Sequence, residues 1–141
     1  MASFLYQAGV DALLTTINAE SATLKAMLVT SGYTADKDHD IVNDTTPGSN
    51  ELSGTGYARK TLSTNAVAKD DANDRVTFDT DDLTWTAINA GTAAACIIYI
   101  HVTDDTDSIL LAHIDTGGFP IVTSGQDLTI TWDAAGVFYL G

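Results

Sequence analysis

The spacing of apolar residues changes once along this chain, near residue 22, and that change decides most of what the chain can become. Before it, Leu5, Ala8, Ala12, Leu13 and Ile17 recur at three- and four-residue intervals, the repeat of one helix face. A short amphipathic helix is expected over 3–18, with Ser3 placed to cap it. After it, Leu24, Ala26 and Leu28 alternate with Lys25 and Met27, and the two-residue period of a strand governs the remainder.

Further strands are expected at 56–63, 75–79, 83–88, 95–102, 108–115, 127–132 and 137–140. Leu128, Ile130 and Trp132 alternate with Thr129 and Thr131, so that strand has one core face and one wet face. "CIIYIHV" and "ILLAHI" are apolar on both faces, as central strands covered by a second layer must be. Many short strands separated by Asn, Asp and Gly turns predict a mainly β chain. The expected form is an antiparallel two-layer β-sandwich, jelly-roll-like, with one short N-terminal helix over its end or edge.

One stretch breaks the rhythm. Residues 31–53, "SGYTADKDHDIVNDTTPGSNELS", hold no sustained period and many turn formers, Pro47 among them. So long a connection is usually functional or mobile. It reads either as a surface excursion or as an arm toward a neighbouring subunit. In the second case Ile41, Val42 and Leu52 are the apolar anchors, and Phe4, Leu5 and Tyr6 contribute further interchain contacts, neither segment being needed to complete a sandwich core.

Composition narrows function mainly by exclusion. With 141 residues the chain has the size of one domain, and 45% hydrophobic with 18% charged residues suits a folded one. A formal charge of −13, with no basic cluster larger than Arg59–Lys60, argues against direct nucleic-acid binding. No segment has the length and apolarity of a membrane span or the layout of a signal peptide, so no membrane partner is expected. Cys96 is the single cysteine, and its apolar setting suits a small buried hydrophobe.

No catalytic constellation and no cofactor site emerge. There is no G-x-S-x-G turn, and "SGTGYARK" (53–60) lacks Walker spacing. His101 and His113 lie on two strands joined by "TDDTDS" and, as cross-strand neighbours beside Asp104 or Asp115, would offer a metal-dependent hydrolase site. Packed or surface histidines are the plainer alternative. In "DANDRVTFDTDD" (71–82) a calcium-loop alignment places Arg75 at a ligand position and Val76 where glycine must bend the chain. The same residues read better as a hairpin tip at 69–74 and a turn at 79–82, between strands that place Val76, Phe78, Leu83 and Trp85 in the core. A loosely held divalent cation at such an acidic tip stays open.

The order of these motifs resembles a known family. "FLYQAGVDALL", "ATLKAMLVTSGYTADKDHDIVND", "ELSGTGYARKTLS", "KDDANDRVTFDTDDLTWTAI", "IIYIHVTDDTDSILLAHIDTGG" and "SGQDLTITWDAAGVFYL" follow one another over almost the whole chain. In that order they are similar to the small virion proteins of tailed bacteriophages, of the capsid decoration or cement type. The resemblance implies a non-enzymatic β-sandwich with no catalytic residues. It implies a protein made in the host cytoplasm that binds the major capsid protein on the capsid exterior and bridges capsomers, commonly as a trimer. Proteins of similar size also serve at the neck, tail or fibre. Tyr33, Tyr57 and Trp85 beside acidic loops would suit such a host-surface or glycan-binding module.

Overall fold

The computed structural model describes residues 3–15, 17–43 and 48–141. In chain order they form β1 (Phe4–Leu5), α1 (Gln7–Thr15), β2 (Leu24–Val29), a 3-10 turn (Gly48–Asn50), β3 (Lys60–Thr61), β4 (Ala66–Asp70), β5 (Arg75–Asp79) and β6 (Leu83–Ile88). There follow β7 (Thr92–Ala93), β8 (Ala95–Ile100), β9 (Ile109–Ile114), β10 (Ile121–Val122), β11 (Gln126–Ile130) and β12 (Phe138–Leu140). The protein is mainly β, in antiparallel sheets with one short N-terminal helix, and among the described residues no sheet closes into a barrel. The largest sheet has five strands in the order β1-β9-β8-β2-β3; smaller ones pair β12-β5-β4, β11-β6 and β10-β7.

The doubly apolar runs explain the large sheet. On one face of it Leu24, Ala26, Leu28, Cys96, Ile98 and Ile100 pack against Phe78, Leu83, Trp85, Ile88, Leu128 and Ile130 of the smaller sheets. On the other, Met27, Val29, Ile97, Tyr99 and Leu110 form a second cluster with Tyr6, Tyr33 and Val42. Every residue of β8 is buried. At about 25 cal/mol per Å² of apolar surface, burying both faces of three strands is the main driving force for this fold.

Residues 31–43 supply the second cover, where a surface excursion or arm was expected. Tyr33 and Val42 lie over the sheet and the stretch is bonded at both of its sides. Val42 N–H donates to the Ser108 carbonyl, and the Asp40 carbonyl accepts from Leu110. Farther on, Thr30 N–H donates to Asn50 and Leu52 N–H to Leu28. A segment without periodicity becomes an ordered strap because the apolar second face of β2, β8 and β9 must be kept from water. Positions 44–47, with Pro47, lie outside the described residues.

The N-terminal expectation is also corrected. The helix begins at Gln7, not at 3, and Phe4–Leu5 is an edge strand paired with Ala112–His113. Ser3 caps no helix; its hydroxyl accepts from Asp115 N–H at 3.0 Å. The strand continues through Tyr6, whose N–H donates to the Leu111 carbonyl. β9 carries a bulge there: Ile98 pairs with Ala112 and Tyr99 with Leu110, leaving Leu111 as the extra residue. α1 crosses β9 at this point. A Cβ on Gly9 would stand 2.5 Å from the Leu110 carbonyl oxygen and 2.6 Å from Leu111 Cα.

Candidate functional site

The densest polar cluster is built around Arg59, between the end of the strap and the loop after β8. Arg59 donates from Nε and one terminal nitrogen to Glu51 (2.8 and 2.7 Å). It donates from both terminal nitrogens to Asp105 (2.5 and 2.8 Å) and from one to the Tyr99 hydroxyl (3.1 Å). All five guanidinium N–H groups are thereby engaged. Tyr57 donates to Glu51 (2.6 Å) and accepts from Leu28 N–H (3.1 Å). Hydrogen bonding to Glu51, then to Asp105, strengthens the arginine's hold on its proton.

This cluster can join segments distant in sequence, but it offers little to a substrate. Its donors already face carboxylates in bidentate geometry, the strong form of this contact. Asp105 is held below the usual carboxylate range, chiefly by its hydrogen bonds to Arg59. Its folded pKa therefore lies below the unfolded value of about 3.9. The stability it contributes is complete above that value and is lost as pH falls through the folded pKa. In thermal melts followed by circular dichroism, the loss that Asp105 causes is expected to set in only below about pH 4.5. In Asp105→Asn the acid limb should be shallower.

The histidines do not meet. His113 opposes Ile97, whereas His101 follows the last residue of β8, Ile100. Four strand residues, roughly 13 Å, separate the two positions. Among the described residues no three His, Cys, Asp or Glu side chains form a group able to hold a metal ion. His101 Nδ1 lies 3.4 Å from Ser108 Oγ, but Ser108 is fully buried and its hydroxyl donates to the Asp104 carbonyl at 2.6 Å. No substrate reaches that oxygen. Cys96 is buried too, and burial pushes its thiol up to about 12.

His113 is instead a core histidine. It stacks on Phe4 with ring centroids 5.1 Å apart and 16° between planes. Among the described residues, its Nδ1 is the buried side-chain polar atom with no hydrogen-bond partner. Burial lowers its pKa against the opposing pull of Asp115. For a histidine lowered on folding, stability is complete above the ordinary value near 6.5 and falls as pH drops below it. His113→Phe keeps the ring and removes the orphan nitrogen. It is expected to raise stability by about 1 kcal/mol and to flatten the melting temperature between pH 7 and 5. A steeper slope in the variant would contradict this.

The acidic turns are structural ties. Asp70 and Arg75 close the β4–β5 hairpin at 2.8 Å, and Asn73 also donates to Asp70. In the tip after β8, Asp107 accepts from Thr103 and Asp104 N–H, and Asp104 from Thr106. "FDTDDLTW" is a corner between two sheets, since β5 pairs with β4 and β12 while β6 pairs with β11. Asp81 accepts from the Ser63 and Thr64 hydroxyls and Asp82 from Trp132 N–H. Phe78, Leu83 and Trp85 are core residues as expected; Val76 is not, being 41% exposed.

Of the residues expected at interchain contacts, Tyr6, Val42 and Leu52 are buried inside the chain and Phe4, Leu5 and Ile41 are half-buried. Both segments therefore do complete the core. Tyr33 and Trp85, which suggested a glycan-facing module, are buried, and Tyr57 is half-buried behind Glu51. The feature that sequence reasoning missed is an apolar groove of about 320 Å³ between α1 and the β12-β5-β4 sheet, lined by Leu13, Leu14, Ile17, Val67, Val76 and Phe138. Leu14 is 74% exposed and Val67 42%. Its signal was present in α1, where Leu13 and Leu14 are adjacent and cannot both face the core.

The fold and its polar clusters define a mainly β, antiparallel protein whose described charged groups mostly tie loops together. Comparison of the chain with protein-family models, curated proteins and solved structures found no match. Among the described residues no helix is long and apolar enough to cross a membrane.

Proposed function

We propose that the chain is a non-enzymatic structural protein of a tailed-phage virion, a decoration or cement protein that binds the outer surface of the head and stabilises contacts between capsomers. The observation that carries this reading is the division of its surface. Leu14, Val67 and Val76, three of the exposed large apolar side chains, border one groove, while the acid of a chain with net charge −13 is set out on loops and hairpin tips. An adhesive protein on an outer shell needs that division: a local dry patch for docking and a hydrated, like-charged remainder that keeps free copies apart. The order of motifs supports the same reading.

On this reading the five-stranded sheet and the smaller sheets that share its core are the layers of a sandwich of jelly-roll type. Attachment as a small oligomer, a trimer foremost, turns several weak contacts into one durable one. The test uses purified protein and expanded head shells that lack it. Sedimentation as an oligomer and saturable binding to the shells are expected. A protein that stays monomeric and leaves the shells bare would sink the proposal.

A further inference from the structure

We infer that residues 3–5 are an acid-released latch: protonation of His113 frees this segment from the outer edge of β9 while the rest of the fold stays closed. The latch is held by few contacts. Phe4 and Leu5 pair with His113 and Ala112, the Ser3 hydroxyl is bonded to both the carboxylate and the N–H of Asp115, and Phe4 stacks on the imidazole. The next residue sets its end. Tyr6 is fully buried, with its hydroxyl 2.8 Å from that of Tyr33 and its N–H bonded to the Leu111 carbonyl, and Gly9 seats α1 on the bulge behind it. An opening that stops at Leu5 breaks two strand pairs and the Ser3 contacts, and so local an opening costs far less than global unfolding.

Protonation selects this opening. An imidazolium carries an N–H on both ring nitrogens, and His113, only 4% exposed, has at Nδ1 a buried atom with no partner. A buried charge whose donor is unmet is costly. The groups around it give little relief. Ile97 opposes it on β8; on its own strand Asp115 favours the charged form, and the chain's amino terminus opposes it. From the strap, the Tyr33 ring lies 6.1 Å away with its hydroxyl engaged by Tyr6 and His39, and the Lys37 ammonium is 5.7 Å from the Phe4 ring centroid. Arg75 and Asp133, from the other side of the fold, line the groove that His113 also lines. Lifting residues 3–5 brings water to the ring and takes the Ser3 hydroxyl off Asp115, leaving that carboxylate freer to face the imidazolium. The closed state is therefore complete above the ordinary histidine value near 6.5 and is lost as pH falls below it.

The experiment follows amide hydrogen exchange, corrected for the intrinsic pH dependence of exchange, at about pH 7.5 and about pH 5, a range that spans the histidine value and stays above the acid limb of Asp105. In wild type, protection of β1 and of the stretch of β9 that it covers is expected to fall roughly fivefold or more on acidification, while β2 and β8 keep theirs. The NMR titration of the His113 ring should share its midpoint with that loss. His113→Phe should keep β1 protected at both pH values, and His39→Gln should open as wild type does. Unchanged protection of β1 in wild type would overturn the inference. So would an opening that survives in His113→Phe, disappears in His39→Gln or has a midpoint apart from the His113 titration, since another group would then drive it. Loss of protection in β2 and β8 together with β1 would mean global unfolding and no latch.

Discussion

Replacing Arg59 with methionine is expected to destabilise the protein by about 2 kcal/mol, below the ~3–5 of a broken, fully buried ion pair because water reaches this one. The Arg59 side chain is 24% exposed and its partners Glu51 and Asp105 18% and 38%, so part of the Coulomb attraction is screened. Methionine keeps much of the apolar stem but leaves two partly buried carboxylates facing each other and the Tyr99 hydroxyl. At this chain length 2 kcal/mol corresponds to roughly 4–8 °C in melting temperature. Arg59→Lys should recover less than half, since an ammonium cannot hold two carboxylates bidentately. A methionine variant that melts within a degree of wild type would show that the cluster merely decorates the surface. The same variant should also flatten the acid limb that Asp105 imposes, because the cause of its lowered pKa is gone.

Gly9→Val is the second large effect, expected at about 3 kcal/mol, the upper end for overpacking a filled site. Glycine is needed here for proximity. Its Cα rests on the backbone of the β9 bulge, where a Cβ would meet the Leu110 oxygen at 2.5 Å, Leu111 Cα at 2.6 Å and Leu111 Cδ1 at 2.9 Å. Backbone atoms in a paired strand cannot withdraw as a flexible side-chain end can. Relief requires α1 to lift, exposing Ala12 and loosening Leu13 and Ile17 from the core. Urea denaturation should show the midpoint falling by roughly 1–2 M. An unchanged midpoint would mean that the helix does not lie on the bulge. Gly56 is constrained similarly, at φ 75° with the Thr86 and Ala87 carbonyl oxygens 2.7 and 2.8 Å from a Cβ.

How much of this was legible in the sequence differs from element to element, for physical reasons. The strands at 75–79 and 83–88 are as expected, and β8 and β9 fall within their expected runs, because alternation and doubly apolar runs report directly on burial. Phe4–Leu5 read as helix because Leu5 happens to lie three residues before Ala8; only the unpaired edge of β9 makes it a strand. Val76 shares a face with Phe78, yet it lies nearer the hairpin tip, where the core no longer covers it. Period alone does not say where an opposing layer ends. The strap had no period to read, since its contacts come from carbonyls and from scattered Tyr33 and Val42.

The site was less legible than the fold. Arg59 finds Asp105 46 residues away and Tyr99 40 away, and no local pattern announces such a meeting. Whether the two histidines meet could not be read from the sequence, because strand register, which it left open, puts His113 opposite Ile97 rather than beside His101. The groove combines the outer side of α1 with β5 and β12, elements that meet only in the folded chain. Net charge was legible directly, and a value of −13 argues against nucleic acid as a direct partner.

The most direct test of the central claim, that this is a decoration protein of a phage head, is a cryo-electron reconstruction of the parent particle. The account predicts density for this fold on the outer face of the head, seated between capsomers with the acidic tips toward solvent. Density for the chain at the neck, tail or fibre, or none on the head exterior, would contradict it.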